Sequence, residues 1–158
     1  EMIKLNDYCR IHDILIIIKK HKNQIDYKVQ EVNLSNIKFL TDVDLNRAKI
    51  QLYELLPFTD ALITDYSSVA IDYLLLDKPI GFSLDDFEEY RATRGFIFEN
   101  VLDYMPGHHM YSINDLYNFL DDIVMGKDDY KENREKIREI THNPTEGYSQ
   151  RIIEHFNL

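Results

Sequence analysis

The stretch that most constrains the fold runs from Asp60 to Phe82, D-A-L-I-T-D-Y-S-S-V-A-I-D-Y-L-L-L-D-K-P-I-G-F. Residues 61–64 form a short apolar run of buried-strand length. Residues 65–68 gather small polar residues around one tyrosine, which suits a turn and a helix cap. Residues 69–76 are apolar almost all round, so this helix is expected to be buried on most sides. Lys78 and Pro79 stop it, and residues 80–82 restart a strand. Strand, helix and strand in this order imply a parallel sheet with a right-handed crossover. In such sheets ligands bind at the carboxyl ends of strands, where helix N-termini turn free N–H groups outward. Asp65, Ser67 and Ser68 fall at such a point. The alternative is that the serines only cap the helix.

The rest of the chain extends this pattern. Residues 2–10 fit the end of a helix. Residues 14–18 form a continuous, mostly β-branched run, as expected of a strand covered on both faces. The basic trio Lys19, Lys20 and His21 follows its carboxyl end, where a solvated turn is the simplest outcome. Residues 24–31 read as a loop or frayed strand, and 37–40 as a short strand. Thr41 and Asp44 have the spacing of a capping box. Leu45, Ala48, Leu52, Leu55 and Leu56 recur near the helical period, so one helix is expected from 45 to 56, ended by Pro57. Asp85 and Glu88 repeat the capping pattern ahead of a short helix that reaches Tyr90, with Arg91, Arg94 and Gly95 in the loop beyond. Residues 96–102 read as strand or irregular chain, 105–107 as a turn and 108–111 as the last strand. Ser112, with Asp115, caps an amphipathic helix whose apolar face carries Ile113, Leu116, Tyr117, Leu120, Ile123 and Val124, closed by Gly126. A more polar helix over 128–141, a loop and a closing helix over 150–156 complete the chain.

Composition narrows the function. The 158 residues suffice for one domain with a real core. The net charge of −10, from 18 basic and 28 acidic residues, argues against a nucleic-acid-binding surface. It leaves room for a local basic pocket that takes a small anion. No apolar run approaches the roughly 20 residues of a membrane span, and no basic-then-apolar segment opens the chain. The start at Glu1-Met2 fits an excised fragment. The lone Cys9 fits a reducing compartment and a structural role. The six histidines show no metal-ligand spacing. His108 and His109, as strand neighbours, are expected to point to opposite faces. With five glycines and no glycine-rich fingerprint, phosphate binding cannot rest on a glycine loop. Asp72, about one turn inside its helix, is expected to hydrogen-bond structurally rather than pair with Asp65 in catalysis.

The central stretch, as D-A-L-I-T-D-Y-S-S-V-x-x-D-Y-x-L-L-x-K-P-I, resembles the signature of the CDP-glycerol glycerophosphotransferase family, whose members prime and polymerise teichoic acids. The similarity continues through residues 86–90, the triplet Arg94-Gly95-Phe96 and the triplet Met105-Pro106-Gly107. It is fainter over 145–151, where Glu146 stands where the family tends to have aspartate. It reaches back to Lys19-Lys20-His21, against the family's K-x-H-P, with Lys22 in place of the proline.

The order of strands and helices predicts an α/β fold, a Rossmann-like parallel sheet with helices on both faces, and the resemblance implies that it is the C-terminal, donor-binding half of a GT-B glycosyltransferase-like fold. In this frame residues 1–158 form a single nucleotide-donor-binding α/β domain, a fragment of a larger two-domain enzyme. That enzyme would transfer glycerol phosphate from CDP-glycerol to a hydroxyl acceptor in cell-wall polymer synthesis, releasing CMP. The implied donor-binding residues are Lys19, His21, Asp65, Ser67, Ser68 and Arg94, lining one cleft, with His21 and Arg94 also catalytic. His21 would donate to a phosphate oxygen, and Arg94 would offer a fork of donors to a diphosphate; a surface ion pair is the alternative for Arg94. Asp65 should turn to the sheet or a sugar hydroxyl, since a carboxylate repels phosphate. No metal and no cofactor is expected. The partners implied are the CDP-glycerol donor and a polyol-phosphate or lipid-linked acceptor, the latter held mainly by a missing N-terminal half that also carries the catalytic base. The fragment alone is then inactive, and the full protein is cytoplasmic and peripheral on the inner face of the membrane. Other readings stay open: a non-catalytic assembly or regulatory domain, or a transferase using CDP-ribitol or a UDP-sugar.

Overall fold

The computed structural model describes residues 1–19, 34–143 and 146–157. The architecture is α/β, with parallel strands joined through helices as in a Rossmann-like fold. The chain divides into two compact units, residues 1–57 and 58–158.

The first unit opens with α1 (Met2–Ile11), which buries Leu5 and Cys9. Cys9 is fully buried, and burial pushes its thiol up, so it is an inert packing group. Asp13 takes a left-handed backbone (φ 55°), and the N–H of Ile14 donates to the Cys9 carbonyl. The end of α1 thus consumes Ile14, and the strand begins later than the apolar run suggested, as β1 (Ile16–Lys19). Ile17 stays 41% exposed, so β1 is not covered on both faces as its sequence predicts. β2 (Ile37–Leu40) pairs with it in parallel, Ile16 opposite Ile37. The expected loop over 24–31 lies outside the described residues.

Thr41 and Asp44 form the expected capping box: the Asp44 N–H donates to Thr41 Oγ1, and the Thr41 N–H to the Asp44 carboxylate. The single helix expected over 45–56 is broken in two, α2 (Asp42–Ala48) and α3 (Leu52–Leu55), followed by a 3-10 turn over Leu56–Phe58. The break is local. Lys49 adopts φ 57° and its N–H returns to the Leu45 and Asn46 carbonyls, while the Gln51 N–H donates to the Glu54 carboxylate at 2.6 Å and starts a new helix.

The second unit holds β3 (Leu62–Thr64), β4 (Ile80–Ser83) and β5 (His108–Met110), parallel and in that order. β4 is buried over its first three residues, with Ile80 and Phe82 on one face and Gly81 on the other. Between β3 and β4 runs α4 (Val69–Tyr73), tightening to a 3-10 turn over Leu74–Leu76 that ends at Asp77 with φ 49°. Ala70, Tyr73 and Leu74 are buried and residues 69, 71, 72 and 76 are half-buried, so this helix is covered on most sides as expected, with Leu75 the exposed position at 46%. α5 (Phe87–Thr93) starts two residues after Asp85, because Asp85 accepts from the Ser83 hydroxyl instead of capping. A 3-10 turn over Val101–Tyr104 leads to Met105-Pro106-Gly107. A Cβ on Gly107 would lie 2.1 Å from the Ile80 carbonyl oxygen, so only glycine lets this turn meet β4.

α6 (Ile113–Val124) is capped by Ser112, whose Oγ accepts from the Asp115 N–H. Its buried face centres on Phe119 and Leu120, while Ile113 and Val124 are exposed. Phe119 packs where Gly81 leaves room. α7 (Lys131–Thr141) begins three residues later than expected. The helix is polar, as its sequence reads, yet Arg134 is only 1% exposed. Its guanidinium binds both oxygens of Asp128, at 2.8 and 2.5 Å, and Asp77 at 3.4 Å. α8 (Tyr148–Phe156) closes the described chain with no buried residue.

Candidate functional site

The site follows from how β3 ends. After Thr64 the chain makes a tight polar turn before α4. The Asp65 carboxylate accepts the Ser67 N–H at 3.1 Å, closing an Asx turn. The Ser67 hydroxyl accepts the Val69 N–H at 3.5 Å, a long bond. Ser68 is the cap residue of α4 by position, but its side chain makes no capping bond. Thus Asp65 and Ser67 stabilise the turn, and Ser68 presents an exposed hydroxyl and N–H with no partner among the described residues. One oxygen of Asp65 is therefore committed to its own turn.

Tyr66 is the turn's anchor, a role its sequence context did not reveal. Its ring lies 4.1 Å from Tyr90 and 5.3 Å from Phe96, centroid to centroid, and its hydroxyl donates to Asp86 at 2.8 Å. Burial first, then the hydrogen bond to Asp86 and the nearby carboxylates, push its phenol well above the usual tyrosine range. Phe87 and Phe96 stack at 5.3 Å and complete the cluster.

Arg94 ends α5, and its N–H donates to the Tyr90 carbonyl. Its side chain is exposed and pairs with no carboxylate among the described residues. Gly95, at φ 70°, then reverses the chain and sends Phe96 back onto Tyr90. Asp65, Ser67, Ser68 and Arg94 belong to the second unit, on segments that both pack on Tyr66.

Lys19 belongs to the first unit. It is the last residue of β1 rather than part of a turn beyond it, and its ammonium meets Asp42, in the first turn of α2, at 2.9 Å. His21 lies outside the described residues. Asp72 sits half-buried within α4. His108 and His109 do point opposite ways: His108 packs on Phe119 and Tyr130, and His109 meets Phe82 and bonds the Met105 carbonyl. Among the described residues no group of three His, Cys, Asp or Glu side chains is arranged to hold a metal ion. Among the same residues no helix is long and apolar enough to cross a membrane.

Sequence comparison extends the similarity beyond the motif. The chain is 31% identical over 121 residues to the teichoic acid ribitol-phosphate polymerase TarK of Staphylococcus aureus, covering 75% of this chain and 22% of the relative. It is 37% identical over 86 residues to the teichoic acid glycerol-phosphate primase of Bacillus subtilis, covering 54% and 22%. The ribitol-phosphate polymerase TarL of S. aureus is 30% identical over 125 residues, covering 75% and 20%. The chain thus spans about a fifth of the length of these curated relatives. The model of the CDP-glycerol:poly(glycerophosphate) glycerophosphotransferase family matches residues 2–156, nearly the whole chain, and the chain belongs to that family.

Proposed function

We propose that this chain is the nucleotide-donor-binding part of a glycerophosphotransferase that uses CDP-glycerol. The observation that carries the reading is the turn after β3. Among the described residues it leaves the Ser68 hydroxyl and N–H without a partner, and Arg94, tied through Tyr66 to the same turn, keeps an exposed guanidinium that pairs with no carboxylate. Neutral donors and a guanidinium fork are the groups a diphosphate needs. The outer oxygen of Asp65 would accept from a sugar hydroxyl. Lys19 and His21 are proposed as further phosphate ligands on the resemblance alone.

In the reaction, an acceptor hydroxyl oxygen attacks the β-phosphorus of the donor. The bond from that phosphorus to the bridging oxygen breaks, CMP leaves with the electron pair, and the hydroxyl proton passes to a base. Arg94 and Ser68 would stabilise charge building on the phosphoryl oxygens, and no covalent enzyme intermediate is needed. The base and the polyol-phosphate acceptor site are assigned to residues beyond this chain, of the kind the longer relatives carry, so the chain alone binds donor without transferring it. The whole protein would work at the cytoplasmic face of the membrane, where a nucleotide donor meets a lipid-linked acceptor.

Calorimetric titration tests the reading. CDP-glycerol should bind this chain more tightly than cytidine, with CDP intermediate and a UDP-sugar weaker. CDP-ribitol is the competing donor, since two of the relatives named above are ribitol-phosphate polymerases. No binding by any of these nucleotides would leave a non-catalytic assembly domain as the better account.

A further inference from the structure

Tyr66 is the one aromatic residue of the turn after β3, and its contacts bracket Arg94. It touches the start of α5 through Phe87, the last turn through Tyr90, and the chain beyond through Phe96, at 6.4, 4.1 and 5.3 Å between centroids. The carbonyl of Tyr90 accepts the N–H groups of both Arg94 and Gly95. A packed tyrosine hydroxyl ordinarily takes a hydrogen-bond partner, and which partner it takes decides what it ties together. Here the hydroxyl bonds Asp86, twenty residues away in sequence, at 2.8 Å. Asp86 occupies the cap position of α5 yet makes no capping bond to its own helix. A capping aspartate ordinarily stabilises the helix start, and at α5 that carboxylate is committed to Tyr66 instead.

We propose that Tyr66 is a positioning residue that sets Arg94 relative to the Ser67–Ser68 turn, acting through Asp86 and the rings of Tyr90 and Phe96. The inference rests on the reading of Ser68 and Arg94 as donor-binding groups. The phenol is pushed above the usual tyrosine range, so at neutral pH it carries the proton it donates to Asp86. The latch holds the phosphate donors at a fixed separation, so a diphosphate meets them without first ordering α5.

The test is a double-mutant cycle on this chain. Tyr66→Phe keeps the ring and removes the bond. It should weaken CDP-glycerol binding by roughly three- to tenfold and leave cytidine unaffected. In an Arg94→Ala background the same change should cost nothing further. Asp86→Ala should reproduce the loss, and Asp86→Asn, which keeps an acceptor oxygen, should restore most of it. Amide hydrogen exchange gives a readout that needs no donor. In Tyr66→Phe the bonded amides of Ser67 and Val69 should exchange faster together with those of Arg94 and Gly95, while α6 is unchanged. An affinity loss of equal size with and without Arg94 would overturn the proposal. So would exchange that rises in one segment only, or in neither. If the wild-type chain binds no CDP-glycerol, the functional reading fails, and the joint exchange result still decides whether the latch exists.

Discussion

Replacing Arg134 probes the strongest electrostatic commitment in the second unit. Arg134 is 1% exposed, and the Asp128 and Asp77 side chains keep 26% and 32% of their surface. The guanidinium satisfies both Asp128 oxygens, and its Nε has no partner among the described residues. Removing one partner of a buried pair costs about 3–5 kcal/mol, chiefly because a desolvated charge is left behind. The carboxylates here retain some water, so Arg134→Met should sit near the lower end, about 3 kcal/mol. Asp128→Asn should cost less, since Asp77 still faces the guanidinium. Urea denaturation at neutral pH, with coincident fluorescence and circular dichroism transitions, measures this. The pH dependence separates the ion pair from simple packing. The hydrogen bond from Arg134, ahead of every other cause, holds the Asp128 carboxyl below its usual range. Its contribution is therefore complete above the unfolded value of about 3.9 and is lost as pH falls through the lowered folded value. The gap between wild type and Arg134→Met should narrow as the pH drops below about 4. A loss under about 1 kcal/mol at neutral pH, or a gap that does not change with pH, would refute the assignment of a buried ion pair.

Three other outcomes follow from single residues. Gly107→Ala should destabilise by about 3 kcal/mol or more in the same assay, because its Cβ would overlap the Ile80 backbone rather than a movable side chain. Lys49→Gly should stabilise by up to about 1 kcal/mol, read as a raised melting temperature, since Lys49 is held at φ 57° in the left-handed region. Chelation with EDTA should leave CDP-glycerol affinity unchanged, and elemental analysis should find no stoichiometric transition metal, if side chains and backbone N–H groups alone oppose the donor's charge.

Strand positions were legible wherever a short apolar run was bounded by polar or proline residues. β2 and β4 lie where their sequences put them, and Pro79 and the 105–107 turn immediately precede β4 and β5. Helix boundaries were less legible because backbone choices at single residues decide them. Nothing in the periodicity of residues 45–56 signals that Lys49 will turn left-handed, and both competing caps use ordinary Thr, Asp, Gln and Glu. Arg134 was hidden for another reason: a charged residue reads as solvated until Asp77 and Asp128, distant in sequence or across a loop, are brought to it. The site was half legible. Ser67, Ser68 and Arg94 stood out by type and by their place after strands or beside glycine. The role of Tyr66 depends on a bond to Asp86 that no local pattern announces.

The central claim is that the turn after β3 binds phosphate and does more than cap a helix. The direct measurement is titration of the Ser67→Ala/Ser68→Ala double variant against CDP-glycerol and cytidine, with thermal unfolding in parallel. Hydrogen bonds to charged groups are worth about 1.5–3 kcal/mol, so the variant should bind CDP-glycerol roughly tenfold or more weakly. Cytidine, which offers the hydroxyls no phosphate, should be bound nearly as before. The Ser68 hydroxyl makes no capping bond and the Ser67 bond is long, so the stability loss should stay below the about 1 kcal/mol of a true cap. Equal CDP-glycerol affinities for the two proteins, with only the melting temperature lowered, would contradict the account and return both serines to a structural role.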